Sequence, residues 1–428
     1  MARKMKDSVI EWIGEIPEGW EIVKIKYGVT KVGSGKTPSG GAEVYTDCGV
    51  LFLRSQNIYD CSLVLDNPSY ISYETDLTMK STRILPNDIL LNITGASIGR
   101  CCVVPETLGP ANVNQHVCII RTNPEFFLPK FMQYFWVSHL GRYAISLFQT
   151  GGNREGLSFD AIRNTPIPYI SIPEQSKIIT YLDSECSRID VMLSKTRSSI
   201  EEYKKLKQAV ITQAVTKGIR GEREMKDSGV EWIGEIPKEW KCQKLKYTIF
   251  PQNRPVFSTD EIITCFRDGI VTLRKNRRED GFTVSFTEHG YQGVEIGDLV
   301  IHGMDAFAGA IGCSDSRGKT TPVVHVCTTT GNNRFFMFFL RHMAYSNIFM
   351  DFSNGIRIRS SDFRNFTKLG IFDVLVPPIA EQNEIADYLD AKCTEIDKLI
   401  AKKEQLVKEL ENYKKSLIYE VVTGKREV

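Results

Sequence analysis

Apolar residues follow the same periodic pattern in two stretches of the chain, 174–218 and 381–424. Within each stretch they recur at alternating steps of four and three, and charged or amide side chains fill the positions between them. This spacing is typical of a helix that carries a heptad seam. Because neither stretch contains an internal proline or glycine, each is predicted to form one uninterrupted helix, about 66 Å long at about 1.5 Å per residue.

A helix of this length cannot bury its apolar stripe alone, and the other copy supplies a matching stripe. We predict that the two helices pair as an antiparallel coiled coil and give the chain an approximate two-fold repeat. The alternative is that each helix packs only on its own domain. The residues predicted to form the helix-pairing seam are Leu182, Ile189, Leu193, Ile200, Leu389, Ile396, Ile400 and Leu410.

The segment that opens the chain is repeated as well. Residues 5–27 recur as 225–247, and both copies contain the pattern W-I-G-E-I-P-x-x-W. The tryptophans of each copy flank a glycine and a proline, so we expect them to fasten this opening segment to the core of its own domain. Exposure of the rings for base stacking is the alternative. The tryptophans are Trp12, Trp20, Trp232 and Trp240.

Between each opening segment and its long helix lies a body of mixed periodicity, roughly 130 to 150 residues long and large enough for its own core. Runs typical of strands occur at 50–53, 89–93, 117–121, 299–302 and 323–327, and helical runs occur at 129–148 and 335–352. The predicted fold class is therefore α+β, with two globular domains separated by the paired helices. The predicted divisions are 1–172, 173–220, 221–378 and 379–428.

Composition and charge exclude several classes without selecting one. With 428 residues, 42% hydrophobic and 25% charged, the chain is typical of a globular protein with two or three domains. It starts without a signal-peptide core, and no apolar run approaches the roughly 18 residues of a membrane span, so we expect a cytoplasmic protein. A net charge of +2 neither favours nor excludes nucleic acid as a partner. The 11 cysteines lack CxxC spacing, which indicates reduced thiols.

No motif supplies a catalytic or cofactor site. The run GSGKT at 33–37 ends like a phosphate-binding loop, but Thr30 stands at the position of its first glycine and Pro38 follows it. The run NPEF at 123–126 lacks the second proline of the Asn-Pro-Pro-aromatic motif found in amino-methyltransferases. The 6 histidines show no metal-ligand spacing, and no GxSxG motif is present. We therefore predict a protein without catalysis, cofactor or metal of its own.

Polar side chains suited to DNA collect in loops of both predicted domains. Arg can read guanine and Asn or Gln can read adenine by paired hydrogen bonds, whereas Lys, Ser and Thr suit phosphates. The candidates in the first domain are Lys36, Thr37, Ser39, Arg54, Gln56, Asn57, Thr94, Ser97, Arg100, Asn114, Gln115, Asn153 and Arg154. The candidates in the second domain are Arg274, Lys275, Arg277, Arg278, Arg357 and Arg359. The alternative for each is a turn or a solvated charge without a ligand.

Longer motifs accompany these loops along nearly the whole chain. They are EWIGEIP in both opening segments, NDILLNITGASIGR at 87–100, NVNQH at 112–116, TGGNREGLSF at 150–159, and IPEQ and IAEQ before the long helices. Together they resemble the specificity subunits of type I restriction-modification systems. In the second domain, GDLVIHGMDAFAGAIG at 297–312 and PVVHV at 322–326 replace the matching motifs, so the two domains are expected to read different sequences.

By this resemblance, 21–168 and 241–376 would lie in two target-recognition domains, with the helices as spacers. Each domain would read one half of an asymmetric bipartite site on double-stranded DNA. The family's subunit has no catalysis of its own. It recruits two modification subunits, which bind S-adenosylmethionine and methylate adenine, and restriction subunits that use ATP and Mg.

The helix length also predicts the spacing of the site. B-DNA advances about 34 to 36 Å per turn, so domains held apart by such helices would meet grooves roughly one to two turns apart. Two alternatives remain open: a structural coiled-coil adaptor whose domains bind proteins, and a self-contained DNA methyltransferase or nuclease. The first leaves the polar loops of both domains unexplained, and the second needs a cofactor or metal site that the sequence lacks.

Overall fold

The structure, a computed structural model, describes residues 3–149, 156–277, 289–351 and 363–428. The chain forms two compact units. Unit 1 comprises Met1–Thr196 and Gln405–Val428, and unit 2 comprises Arg197–Glu404. Each unit therefore takes part of both repeated helical stretches, and the predicted four-segment division of the chain stays a prediction.

The two repeated stretches form single helices, as predicted. The first long helix is Ile172–Lys217, with 46 residues, and the second is Ile379–Val422, with 44 residues. Gly218 follows the first helix with φ 80°, and Gly424 lies just past the end of the second with φ 71°. Glycine reaches this left-handed conformation without a Cβ penalty, so it ends a helix at low cost.

Within unit 1, the start of the first long helix packs against the end of the second. Lys414 Nζ lies 2.6 Å from the carboxylate of Asp190, and Trp20, which donates to Glu174, lies beside Gly424. Residues nearer the start of the first helix thus contact residues nearer the end of the second, so the pairing is antiparallel. The seam residues Leu182, Ile189 and Leu193 are buried in the unit's core, and Leu410 packs half-buried against it.

Within unit 2, the end of the first long helix packs against the start of the second in the same sense. Lys207 Nζ lies 2.6 Å from Asp397, and Arg220, just beyond the helix, lies 2.9 Å from Glu384. The antiparallel pairing is therefore found inside each unit. Of the seam residues here, Ile200, Leu389 and Ile396 are buried and Ile400 is half-buried.

The opening segment of each unit is a short hairpin followed by a buried tryptophan. The hairpins are Met5–Asp7 with Glu15–Pro17, and Met225–Asp227 with Glu235–Pro237. Trp20 and Trp240 are 1% and 0% exposed, and Trp12 and Trp232 are half-buried against the same cores. The rings fasten the segment, as predicted, and base stacking by Trp20 or Trp240 is ruled out because their faces are covered.

The body of unit 1 is built on two sheets. The four-stranded antiparallel sheet has the order Cys101–Val103, Ile89–Asn92, Val117–Thr122, Val29–Ser34. The second sheet has the order Arg83–Ile84, Ala111–Val113, Val50–Leu53, Ser69–Ile71, Tyr45–Thr46. A further hairpin is Ile58–Tyr59 with Ser62–Leu63. The strands Ile89–Asn92 and Val117–Thr122 are mostly aliphatic and buried on both faces, which is why their runs were recognisable in the sequence.

The helices of unit 1 differ from the prediction in one place. The run predicted as one helix over 129–148 forms two, Pro129–Val137 and His139–Phe148. Ser138 has an extended backbone (φ −69°, ψ 166°), and its hydroxyl accepts a hydrogen bond from Gly141 N. A serine that caps a new helix in this way interrupts the old one. The shorter helices are Tyr73–Thr78 and Phe159–Asn164.

The body of unit 2 repeats the four-stranded sheet of unit 1. Its four-stranded sheet has the matching order Ile311–Cys313, Leu299–His302, Val324–Thr329, Ile249–Pro251. Two smaller pairs are Ile263–Cys265 with Val271–Leu273, and Gln292–Val294 with Gly318–Thr320. Its helices are Asn333–Tyr345 and Ile348–Asp351. The predicted α+β class is confirmed in both bodies.

Each body begins and ends at the same pair of strands. In unit 1, Glu21–Lys24 pairs antiparallel with Pro166–Tyr169. In unit 2, Lys241–Lys244 pairs antiparallel with Asp373–Val376. The long helix starts directly after the closing strand, so everything between the paired strands can vary without moving the point where the helix begins.

Candidate nucleic-acid interface

Four loops of unit 1 meet at one edge of its sheets. Lys36 N donates to Val113 O at 3.1 Å, and Asn114 N donates to Leu53 O at 3.0 Å. The amide of Asn92 donates to Ser55 O at 2.8 Å. These bonds bring together the loops at 35–39, 54–57, 93–97 and 112–116, which contain most of the predicted DNA-binding residues. The predicted side chains, far apart in sequence, thus form one polar edge.

A glycine sets how closely two of these loops approach. A Cβ on Gly35 would overlap the carbonyl group of Val113, and Gly35 N donates to Val117 O at 3.1 Å. Only glycine fits so close to a neighbouring backbone. The run GSGKT therefore serves packing at this point, and Lys36 and Thr37 follow it on the polar edge.

Most of the predicted side chains at this edge reach solvent. Lys36, Ser39, Gln56 and Gln115 are exposed, and Thr37, Arg54, Thr94, Ser97 and Arg100 are half-buried. The guanidinium of Arg100 lies 4.5 Å from the ring centre of Tyr59. That of Arg54 lies 5.5 Å from the ring centre of Tyr45. Stacking on an aromatic ring leaves the edges of an arginine free to donate hydrogen bonds.

The prediction for Asn57 needs correction. Its side chain is buried, accepts from Arg54 N at 2.9 Å and donates to Val64 O at 2.9 Å. Both ends of the amide are therefore used inside the protein, and Asn57 shapes the loop that presents Arg54. Asn114 is also buried, and its Oδ1 accepts from His116 N at 3.2 Å.

The ring of His116 links two of the predicted residues. The Nδ1 of His116 lies 2.6 Å from Thr94 Oγ1, and its Nε2 lies 3.2 Å from Gln115 Nε2. The amide of Gln115 donates to Nε2, so the ring carries its proton on Nδ1 and donates to Thr94. The hydroxyl proton of Thr94 is then available to a ligand. Gly156 bridges the backbone of Thr94 in antiparallel fashion.

The corresponding edge of unit 2 encloses a cavity of about 760 Å³. Charged and polar side chains on its wall include Arg267, Asp268, Arg274, Arg277, His302 and Asp305. The predicted residues Arg274 and Arg277 thus lie together. Lys275 is exposed next to them and forms an ion pair with Glu261 at 2.6 Å.

Two of the cations on this wall are held by carboxylates. Arg277 pairs with Asp268 at 2.5 Å and lies 4.4 Å from the ring centre of Phe266. The hydrogen bond to Asp268 raises the pKa of Arg277, so the guanidinium stays charged. Arg267 pairs with Asp305 at 2.9 Å. Such paired cations are fixed in direction, which favours recognition of defined acceptors over loose attraction to phosphate.

Five of the predicted DNA-binding residues lie in segments that the structure does not describe. Asn153, Arg154, Arg278, Arg357 and Arg359 lie outside the described residues, and their roles stay predictions. Sequence reasoning also missed His302 and Arg267 in unit 2. The strand register could have identified His302, because it occupies the last position of Leu299–His302 as Asn92 does in Ile89–Asn92.

The described part of the chain contains neither a metal-binding cluster nor a membrane-spanning helix. No group of three or more His, Cys, Asp or Glu side chains there is placed to hold a metal ion. Among the same residues, no helix is long and apolar enough to cross a membrane. All 11 cysteines are free thiols, and 7 of them are buried.

Fold and polar edges together define a class: a duplicated protein with two α+β recognition bodies, each continuous with a long helix. The profile of the type I restriction modification DNA specificity domain matches residues 17–202. Over this range the chain is similar to the specificity subunits of type I restriction-modification systems.

Two proteins named as type I restriction enzyme specificity subunits are similar to this chain over different shares of its length. A protein of Methanocaldococcus jannaschii, provisionally named the MjaX type I restriction enzyme specificity subunit, is 23% identical over 96% of this chain and 95% of its own length. The EcoBI specificity subunit of Escherichia coli is 27% identical over 46% of this chain and 37% of its own length.

Two solved structures share the fold. A chain from a structure addressing complex assembly and conformational transition of the type I R-M system has a TM-score of 0.67 at 15% identity, covering 95% of this chain and 98% of that one. The HsdS subunit from Thermoanaerobacter tengcongensis has a TM-score of 0.52 at 14% identity, covering 96% and 98%.

Proposed function

We propose that each unit reads one half of an asymmetric bipartite site on double-stranded DNA through its polar edge. The supporting observation is that both units gather hydrogen-bond donors at the same end of the same four-stranded sheet. In unit 1 the strand Ile89–Asn92 leads into this edge, and in unit 2 the strand Leu299–His302 does so. Two units that share a fold but read different base sequences need different side chains at the same edge of that fold.

The side chains at the two edges differ in chemistry. Unit 1 offers the amide of Gln115, the ammonium of Lys36 and the hydroxyl of Thr94, whereas unit 2 offers guanidinium groups fixed by carboxylates. Gln pairs well with adenine and Arg with guanine in the major groove. The half-site of unit 1 is therefore proposed to be read through adenine contacts, and that of unit 2 to be richer in guanine.

The gap between half-sites is proposed to follow from the long helices. Helices of 46 and 44 residues are about 66 to 69 Å long at about 1.5 Å per residue. With about 34 to 36 Å per turn of B-DNA, the half-sites would lie roughly one to two turns apart and the bases between them would go unread.

The helices are also proposed to recruit two modification subunits, because the paired-helix scaffold occurs twice. The Asp190–Lys414 pair of unit 1 recurs as the Asp397–Lys207 pair of unit 2. S-adenosylmethionine would bind those partners, and ATP and Mg would serve restriction subunits. This chain would select the site without catalysing a reaction, and the assembly would act on DNA in the cytoplasm.

The proposal is tested by mapping N6-methyladenine across the host genome with and without this gene. Loss of one asymmetric bipartite motif on deletion is the expected result. Replacing 241–376 with the same region of a relative should then change only one half of the motif. A change in both halves would contradict separate reading by the two units, and no loss on deletion would contradict the function itself.

A further inference from the structure

His302 is distinctive in unit 2 because one of its ring nitrogens accepts a hydrogen bond, whereas the other has no hydrogen-bond partner among the described residues. Its Nδ1 accepts a hydrogen bond from Asp305 N at 3.1 Å. A ring nitrogen that accepts from a backbone N–H carries no proton, so the proton of the neutral ring is on Nε2. In the part of the chain that the structure describes, no hydrogen bond to this Nε2 is found.

The ring lies on the wall of the 760 Å³ cavity at the polar edge. Its side chain is 23% exposed, so the ring is partly open to solvent. Burial lowers the pKa of His302, so the ring is neutral at physiological pH. At this position the protein holds a single, directed N–H donor.

The neighbouring cations on the wall are already committed to protein partners. Arg267 pairs with Asp305 at 2.9 Å, and Arg277 pairs with Asp268 at 2.5 Å. Arg274 Nε donates to Thr264 Oγ1 at 3.3 Å. These bonds orient the cations, whereas the Nε2 proton of His302 has no such bond to any residue that the structure describes.

The residue of unit 1 at the same strand position as His302 has a different role. Asn92 pairs with Val117 across the strands, and His302 pairs with Val324 in the same register. Asn92 is fully buried, and its amide donates to Ser55 O and Ser97 Oγ at 2.8 and 3.1 Å. The unit 1 residue thus ties two loops together, while its counterpart in unit 2 lies on the wall of the cavity.

We propose that His302 donates its Nε2 proton to a hydrogen-bond acceptor on the major-groove edge of one base in the half-site of unit 2. The acceptors available there are purine N7, guanine O6 and thymine O4, whereas the cytosine amino group is a donor and would be rejected. His302 is then a specificity-determining residue. This inference rests on the proposed function, because it requires unit 2 to read DNA.

The first test compares three variants in a host that carries the complete system. His302→Asn keeps an acceptor for Asp305 N but loses the outer donor, and His302→Gln places an amide donor near the position of Nε2. His139→Asn, at an exposed histidine of unit 1, is the matched control. Methylated motifs are mapped in each strain.

The expected result is that His302→Asn relaxes one position in one half of the motif. Methylation at sites with the formerly rejected base should rise about fivefold or more, in the range of a lost base contact. The other half should stay unchanged, and His302→Gln and His139→Asn should keep the wild-type motif. A His302→Asn motif identical to wild type at every position would overturn the inference.

A second measurement uses the wild-type complex with its methyltransferase subunits, so it does not depend on a variant that folds. Each base of the half-site is replaced by an analogue without its major-groove acceptor: 7-deazapurines for N7, 2-aminopurine for guanine O6 and 5-methyl-2-pyrimidinone for thymine O4. At least one position should lose about fivefold or more in affinity, and the position read by His302 should be among those that do. No sensitive position in that half-site would also overturn the inference.

The outcomes separate this inference from the proposed function. If deletion of the gene removes no methylated motif, the proposed function fails. If the motif is lost on deletion but His302→Asn leaves it intact, only the role of His302 fails.

Discussion

The indole Nε1 of Trp240 donates a hydrogen bond to Oε2 of Glu381 at 3.0 Å. This bond joins the opening segment of unit 2 to the first turn of the second long helix. Arg223 adds an ion pair to Glu381 at 2.7 Å and lies 5.4 Å from the indole ring centre. The glutamate of the IAEQ motif is thus a structural residue that fixes where the helix begins.

Unit 1 repeats the arrangement with a more open glutamate. Trp20 Nε1 donates to Glu174 Oε1 at 3.0 Å, and Arg3 pairs with Glu174 at 2.6 Å. The side chain of Glu174 is 32% exposed, whereas that of Glu381 is 2% exposed. If the glutamate side chain is replaced, water can therefore take over its contacts in unit 1 but not in unit 2.

We predict that Glu381→Gln destabilises the chain more than Glu174→Gln. Removing the charge that faces Arg223 leaves a buried cation unpaired, at a cost of about 3 kcal/mol in the free energy of unfolding. The exposed counterpart should cost about 1 kcal/mol or less. Urea unfolding of the purified chain measures both. Glu384→Gln, at an exposed ion pair with Arg220, is the control, and equal losses for Glu381→Gln and Glu174→Gln would contradict the prediction.

The glutamine of the same motif predicts a second effect. Gln175 is fully buried, accepts from Leu128 N at 2.8 Å, and donates to Phe126 O and Ile170 O at 2.8 and 3.0 Å. Gln175→Ala leaves these backbone groups buried without partners, so we expect a loss of about 2 to 4 kcal/mol.

Hydrogen exchange provides the local measurement for this variant. The amide of Leu128 should lose its protection in Gln175→Ala by about tenfold or more, because its acceptor is gone. Gln405→Ala, which removes only an exposed contact to Glu409 on the second helix, should leave that amide unchanged. Retained protection of Leu128 in Gln175→Ala would show that the bond contributes little.

His342 predicts a dependence of stability on pH. Burial lowers the pKa of His342 to about 4, and its Nδ1 lies 3.0 Å from Thr212 Oγ1. The unfolded chain takes up a proton below pH 6.5, while the folded chain stays neutral until about pH 4. The stability associated with His342 is therefore lost as pH falls between these values, by about 2 kcal/mol from pH 7 to pH 5.

Unfolding free energies at several pH values check this prediction. His342→Gln should flatten the pH dependence between pH 7 and pH 5, with His302 contributing a remaining slope of the same sign because burial lowers its pKa too. His289→Gln, at an exposed histidine of the same unit, should leave the slope as in wild type. If His342→Gln kept the wild-type slope of unfolding free energy against pH, the pH dependence would arise from another group.

At the polar edge of unit 1, we predict that Lys36→Ala weakens DNA binding by the assembled complex. Lys36 is exposed beside the glycine that brings its loop against Val113. Loss of one phosphate contact should reduce the slope of log affinity against log salt by about 0.9. Lys24→Ala removes an exposed lysine from Glu21–Lys24, away from the polar edge, and should bind as wild type. An unchanged affinity and slope in Lys36→Ala would remove Lys36 from the interface.

The periodic parts of this fold could be predicted from the sequence. Long helices without proline or glycine, and aliphatic strands such as Val50–Leu53 and Leu299–His302, form where their patterns indicate. Their apolar periodicity reflects burial on a regular element, so sequence alone carries the signal. The break at Ser138 was missed because a single capping serine is a weak signal within an apolar run.

The site was less predictable because the same residue types both bind ligands and hold loops. Asn57 and Gln56 are adjacent in sequence, yet one is buried with both amide ends bonded and the other is exposed. Composition cannot distinguish these cases, since the difference arises from which side of the loop faces the sheet. His302 was missed for a related reason: its importance depends on a cavity formed by residues distant in sequence.

The division of the chain between the units also affects the order in which they fold. Unit 2 is one continuous stretch, whereas unit 1 needs 405–428 in addition to its first 196 residues. Leu417 and Val421 from that late stretch are fully buried in the core of unit 1. Until the ribosome releases them, the apolar surface they cover stays open to solvent and chaperones. The unit that is translated first is therefore expected to be the last to complete its fold.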